Sequence, residues 1–377
     1  MSENIELHRM DGDTVSLWCQ GCGLLYLCGG NTRVGGGWCE GRCNGCAADC
    51  DLICLGKPDV LNDAFIEVGG FDFDDIGPLN VPTEALPRYL PLIQHGSSRA
   101  RSLRADWAAV PLSGLIQHPR GIPTPIAMSR SAIRERFKLR PTAKLLLVGI
   151  GLDDVIERYW GDRNEEIFAS LAKMGFSGAI VPNYSFSLRH PRPQHLYNRK
   201  RSLVCAREWS ARGIPIIPYL QAVTLRDWQY WLEFLETHEE ITMVSKEFQT
   251  GLANPARGRD ALHHLARLQD ALKRPLHLVA VGAAQFRGEI SRLFTDWTIS
   301  DSRPFMNSIK RKRARLMSRR IKWEGVDPEA NRLVDALLTC NIAAYKQWID
   351  RPFIPAKPSP GGSRTLEASP SQLRIAL

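Results

Sequence analysis

From Ala108 onward the chain alternates short apolar runs with amphipathic stretches. The runs are Val110–Ile116, Pro125–Met128, Leu145–Ile150, Ala179–Pro182, Ile214–Tyr219, Ile241–Ser245, Leu276–Val281 and Trp297–Ser300. Helical patterns lie between most of them, among them Glu165–Met174, Ser202–Arg212, Leu225–Thr237 and Arg257–Leu272. A short run that is apolar at nearly every position is buried on both faces, which favours a parallel sheet with helical crossovers. Eight such runs predict an α/β fold, a (β/α)8 TIM-like barrel over residues 109–325.

The flanks read differently. Residues 61–108 are rich in proline and polar groups and read as a connector with one strand at Phe65–Val68. After Asp301 the pattern predicts a strongly basic helix. Residues 326–351 read as a C-terminal helix. Residues 352–377, with the low-complexity stretch FIPAKPSPGGSRTLEASPSQLRIAL, predict a disordered tail. No apolar run reaches the roughly 18–20 residues needed to span a bilayer. The opening MSENIELHRMDGD is too polar for a secretion signal. A cytoplasmic protein with reduced thiols and no membrane partner is expected.

Cysteine then changes the picture of residues 1–60. Eight of the ten cysteines are Cys19, Cys22, Cys28, Cys39, Cys43, Cys46, Cys50 and Cys54. In a cytosolic chain such density points to metal ligation rather than disulfides. Thiolates hold zinc at tetrahedral sites or hold iron–sulfur clusters. Zinc is the first expectation, in a module that braces a segment too small to bury its own core. A [4Fe-4S] cluster is the alternative. The spacing Cys39-x3-Cys43-x2-Cys46 resembles the cluster-binding triplet of radical SAM enzymes, and that resemblance implies radical chemistry.

Charge adds a partner. The net charge is +9 across 377 residues, and the excess is clustered. Lys310, Arg311, Lys312, Arg313, Arg315, Arg319, Arg320 and Lys322 form one cluster; Arg189, Arg192, Arg199, Lys200 and Arg201 form another. Such clusters suit a nucleic-acid backbone, whose phosphates supply affinity without sequence information.

In a parallel α/β fold the C-terminal ends of the strands carry the chemistry. These ends hold Asp153 and Asp154, then Asn183, Tyr184 and Ser185, Gln221, Lys246 and Glu247, Gly282, and finally Asp301 and Ser302. The set contains carboxylates and amides, with no glycine-rich phosphate loop of the P-loop type. Amides and carboxylates read base edges, and carboxylates also attack a sugar C1 or stabilise an oxocarbenium ion. Bland roles compete. Asp301, Asp153 or Asp154 can cap the helix that follows, Asn183 can close a turn, and Glu247 can pair with Lys246 or Arg257.

The stretch LHLVAVG followed by FTDWTISDSRPF resembles the end of the tRNA-guanine transglycosylase barrel. In that family an aspartate at a strand end attacks the ribose C1, and the family includes DNA-acting paralogues that insert deazaguanines. The resemblance implies that Asp301 is the nucleophile; the family's Asp-Ser-Gly-Gly-Phe loop with its second aspartate is absent, and Asp153 or Asp154 is expected as second carboxylate from its place at a strand end. Asn183, Tyr184, Ser185, Gln221, Glu247, Gly282 and Ser302 would then face the substrate, and the basic clusters would hold its backbone. The implied activity is base removal or base exchange on a flipped-out nucleotide, on DNA rather than RNA, with phage defence as one setting. An iron–sulfur enzyme and a non-catalytic zinc-containing nucleic-acid-binding protein are the alternatives.

Overall fold

The computed structural model describes residues 52–54, 57–117, 122–123, 129–186, 190–317, 320–326 and 334–352. Two four-stranded parallel sheets form its centre. The first contains β2 (Trp107–Pro111), β5 (Lys144–Val148), β6 (Gly178–Ile180) and β7 (Ile216–Ile217), side by side in that order. The second contains β1 (Tyr89–Pro91), β10 (Trp297–Asp301), β9 (His277–Val281) and β8 (Met243–Glu247), in that order. Single parallel bridges join the sheets at both pairs of edges: Leu92 to Ala109 between β1 and β2, and Tyr219 to Ser245 between β7 and β8. The backbone completes these seams, with the Ile93 N–H donating to the Ala109 carbonyl and the Leu220 N–H to the Ser245 carbonyl. Two short antiparallel strands, β3 (Ile116–Gln117) and β4 (Ile122–Pro123), lie outside both sheets.

The strands are where the apolar runs fall. LLLV of β5 and LVAV of β9 are buried at every position, as expected for strands covered on both faces. The helices are α1 (Pro58–Val68), α2 (Arg130–Arg136), α3 (Asp153–Asp162), α4 (Glu165–Lys173), α5 (Arg192–Ser210), α6 (Leu225–Thr237), α7 (Pro255–Leu272), α8 (Arg287–Leu293), α9 (Arg303–Ile309) and α10 (Val334–Asp350). Their starts follow local chemistry. Asn164 caps α4 and Asn254 caps α7. Thr224 and Asp227 form a reciprocal capping box on α6.

Several expectations are corrected. The connector of 61–108 is structured. Phe65–Val68 is not a strand but the last turn of α1, which ends on Gly69 at φ 72°. The same stretch supplies β1, whose three residues are all buried between β10 and β2. So short a strand, with Pro91 as its last residue, is stabilised by its neighbours rather than by its own propensity. The first strand after it starts earlier than Val110, at Trp107. The strand expected at Pro125–Met128 lies outside the described residues. So do the tail from 353 and the cysteines from Cys19 to Cys50.

The basic helix after Asp301 is a seven-residue α9 followed by an antiparallel hairpin, β11 (Lys312–Leu316) with β12 (Ile321–Gly325). Lys312, Arg313 and Arg315 alternate with half-buried Ala314 and Leu316 only in part, but that period of two belongs to a strand. The side-chain oxygen of Asn341, buried in α10, accepts from the Ala314 N–H (2.7 Å), while its amide donates to the Lys312 carbonyl (2.8 Å). Among the described residues no helix is long and apolar enough to cross a membrane.

Candidate functional site

A cavity of about 820 Å³ opens beyond the C-terminal ends of β6, β7 and β8. The segment after β6 brings Asn183, Tyr184, Ser185 and Phe186. The segment after β7 brings Tyr219, Gln221 and Val223. The end of β8 brings Lys246 and Glu247, while Trp228 of α6 and Arg257, Asp260 and His264 of α7 close the wall. Strand ends in parallel α/β proteins are where ligands bind, because the following loops are free of the sheet's pairing.

Backbone contacts fix these ends. Gly149 follows β5 and approaches β6 so closely that a Cβ there would sit 2.5 Å from the Pro182 nitrogen. That approach lets the Asn183 N–H reach the Gly149 carbonyl at 3.2 Å, which sets where Asn183 enters the cavity. The Gln221 side-chain amide donates to the Tyr184 carbonyl at 2.7 Å, and the Trp231 indole donates to the Gln221 carbonyl at 2.7 Å. Both walls are thus tied together through Gln221. The side-chain oxygens of Asn183 and Gln221 have no hydrogen-bond partner among the described residues, a state that costs free energy in a buried polar group.

Lys246 and Glu247 are neighbours in sequence but not partners. Lys246 Nζ donates to the Leu220 carbonyl at 2.7 Å. Its ammonium lies 5.5 Å from the centre of the Trp228 ring and 5.9 Å from that of Tyr219. Burial brings the amine down to about 8, against the pull of Glu247 and Asp227. Glu247 accepts from the Gln249 N–H at 3.1 Å, and burial raises its carboxyl despite that bond. The cavity therefore holds an acid shifted up and a base shifted down, the pattern that separates acid and base roles.

The other predicted residues fall elsewhere. Asp301 is buried at the end of β10 but does not line this cavity. Its carboxylate accepts from the Arg303 N–H (2.8 Å), Arg303 Nε (2.9 Å) and the Tyr345 hydroxyl (2.8 Å). Burial first, and Asp301 second, push the Tyr345 hydroxyl well above its ordinary range, so Tyr345 stays a donor. Asp301 ties β10 to α9 and α10, and its oxygens are occupied. Ser302 is the N-cap position of α9. Gly282, at φ 72°, is a turn: a Cβ there would meet Gln249 Cγ at 2.4 Å. Asp153 and Asp154 occupy the first turn of α3. Asp153 accepts from the Ser185 hydroxyl at 2.6 Å, so it braces a cavity residue from outside.

The second basic cluster is corrected among the described residues; Arg189 lies outside them. Arg199, Lys200 and Arg201 are each no more than 2% exposed and offer no surface to a phosphate backbone. Arg192 and Arg199 pair with Asp227, both at 2.5 Å; Lys200 pairs with Asp75; and Arg201 pairs with Glu157. Burial alone would raise the Asp227 carboxyl, but Arg192 and Arg199 outweigh it and hold it well below the usual carboxylate range. A run of consecutive charges looks solvated because the carboxylates that neutralise it come from α3, α6 and the segment after α1. The first cluster keeps its exposure. Lys310, Lys312, Arg313, Arg315, Arg320 and Lys322 are exposed and Arg311 is half-buried, with Arg315 and Lys322 pairing with Glu324. Of the eight metal candidates only Cys54 is among the described residues, as a half-buried free thiol.

Sequence reasoning named Asn183, Tyr184, Ser185, Gln221 and Glu247 as candidates, and the structure brings all five to one cavity. It missed Tyr219, Trp228, Asp260 and His264. The helical residues among these carry no strand-end signal; only their spacing on α6 and α7 turns them toward the strands. Compared with known proteins, the chain matches no family model and is detectably similar to no curated protein sequence.

Proposed function

We propose that the eight parallel strands close into one (β/α)8-type ring, and that the cavity at β6–β8 is the active site of an enzyme cleaving the N-glycosidic bond of a flipped-out base in nucleic acid. The ring is supported by the two bridged seams, which leave each of the eight strands flanked on both sides. The observation that carries the activity is Glu247. Burial keeps its carboxyl protonated to higher pH than usual, inside a cavity walled by aromatic rings and by Asn183 and Gln221.

The chemistry follows from those groups. Breaking a glycosidic bond leaves negative charge on the departing base, and a raised carboxyl can supply the proton that neutralises it. Tyr219 and Trp228, the latter stacked on His264, give the cavity an aromatic wall, and the free oxygens of Asn183 and Gln221 are acceptors for amino or N–H groups of a base edge. The exposed charges of 310–322 suit the phosphate backbone. DNA is favoured over RNA through the DNA-acting paralogues of the resembling family. Against the implied role of Asp301, the acid is Glu247, because Asp301's oxygens are taken.

The test is incubation of the full chain with modified and unmodified DNA and with tRNA, scored for free base by mass spectrometry. Release that disappears in Glu247→Gln and persists in Asp301→Asn is expected. Loss in Asp301→Asn with a folded protein would return the chemistry to β10. The exposed hairpin favours a second reading, nucleic-acid binding without catalysis. In that case no substrate releases base, and neutralising the hairpin abolishes binding.

A further inference from the structure

Lys246 is the one buried cation of the cavity wall that the fold does not neutralise among the described residues. Away from the cavity, Arg99, Arg192, Arg199, Lys200 and Arg201 are also buried and each has a carboxylate within ion-pair distance, while Arg134 is held by the Ala143 and Arg130 carbonyls. Lys246 is 5% exposed. A backbone carbonyl, two aromatic faces and the cavity surround its ammonium. Burying an unpaired ammonium is unfavourable, and a buried position at a strand end is easily filled by an apolar side chain. A lysine desolvated in this way holds part of its population as free amine near neutral pH, which makes it a nucleophile rather than a point charge.

We propose that Lys246 attacks C1 of the substrate sugar and carries it as an imine, an inference that rests on the glycosidic reading of the same cavity. The Nζ lone pair forms the bond to C1 as the bond from C1 to the base breaks. The base leaves with the electron pair of that bond and takes the proton of Glu247. The new ammonium returns one proton to Glu247. The bond from C1 to the ring oxygen then opens, the nitrogen lone pair makes the C=N bond, and the ring oxygen takes the proton. The products are free base and a protonated imine, facing the Glu247 carboxylate. Water adding to C1 releases the sugar as an aldehyde, and the spare proton passes to the Glu247 carboxylate, which restores both the free amine and the acid. No oxidant or reductant takes part. The same amine captures the aldehyde directly when the base is already missing, so the ligand class is a sugar with an open or opening C1.

Borohydride reduces an imine to a stable amine and so makes the intermediate visible. The experiment mixes the full-length protein with an oligodeoxynucleotide containing a single abasic site, adds sodium borohydride, and maps the cross-linked peptide by mass spectrometry. A covalent adduct on Lys246 is expected, lost to background in both Lys246→Arg and Lys246→Met, with circular dichroism and melting showing that the arginine variant is folded. No adduct from folded wild-type protein, an adduct on another lysine, or trapping undiminished in Lys246→Arg would overturn the proposal. The two readings fail separately. Base release without an adduct removes Lys246 as nucleophile and leaves the glycosidic reading with water in its place. An adduct on Lys246 without base release from any substrate keeps the amine chemistry and removes the glycosidase.

Discussion

At the end of β10, Asp301 is surrounded by donors; at the end of β8, Lys246 and Glu247 are not surrounded by partners. The three positions are alike in sequence, each a charged residue closing an apolar run. Asp301 receives three hydrogen bonds from Arg303 and Tyr345, which join the strand to two helices. Lys246 has a carbonyl and two rings, and Glu247 has a backbone N–H with a distant hydroxyl. A charge whose partners come from its own fold stabilises that fold. A charge buried without them lowers stability and is kept where a ligand completes it. Opposite signs of stability at the two strand ends are the consequence.

Asp301→Ala should give the largest change. It strips the acceptor from the buried Tyr345 hydroxyl and the counter-ion from Arg303, whose own side chain is 44% exposed. Unpaired groups of this kind cost about 3 kcal/mol in all. Denaturant unfolding should show the midpoint falling at unchanged slope, while Asp301→Asn, which retains an acceptor, loses much less. Equal stability of Asp301→Ala and wild type would mean that the carboxylate does not tie α9 and α10 to the strand.

Lys246→Met should move the other way. The amine titrates at about 8 in the fold against an ordinary 10.5. Between those values the unfolded chain holds a proton that the folded chain has released, so wild-type stability rises with pH through that window. The methionine variant lacks this dependence. It should be more stable than wild type below pH 8 by about 2 kcal/mol, after allowing for the Leu220 carbonyl left without its donor, and above 10.5 the order should reverse, leaving only the cost of that carbonyl. Glu247 on the same strand, Tyr184 and Tyr219 in the segments after β6 and β7, Asp227 of α6, and Arg257, Asp260 and His264 of α7 are the charged and titratable groups around it. Melting curves taken from pH 7 to 11 would settle the sign. A variant less stable than wild type at pH 7 would make Lys246 a structural cation and end the contrast.

What the sequence made legible, and what it did not, follows the same division. The apolar runs of β5 and β9 announce themselves because burial on both faces leaves LLLV and LVAV without a polar position, while β10 carries buried Thr298 and Ser300 between its apolar residues. Helix α6 has the bounds its pattern predicts, since Thr224 and Asp227 mark its start locally. Asn183, Gln221 and Glu247 were legible because a polar residue that ends an apolar run sits at a strand end. The burial of Arg199, Lys200 and Arg201 was not, because Asp75, Glu157 and Asp227 reach them only through the fold. That Lys246 has no carboxylate partner among the described residues was hidden for the same reason: a missing partner has no sequence pattern. β1 was hidden because a three-residue strand that ends on Pro91 and follows Pro87 closely carries little strand propensity of its own.

The smallest effect on the fold should come from the hairpin. Lys312, Arg313 and Lys322 are exposed, and surface charges of this kind contribute little to stability. Replacing all three by glutamine should leave melting unchanged and leave trapping of a short abasic substrate at Lys246 unchanged. Binding to long DNA should weaken, and its dependence on salt should become shallower by up to one unit of log–log slope for each phosphate that is no longer neutralised. That outcome separates backbone-holding from chemistry, as the comparison of β10 with β8 separates fold-holding from chemistry. A salt slope identical to wild type would detach the hairpin from nucleic acid. The clustered charge would then be a solvated face, and the cavity at β8 would stand alone as the functional site.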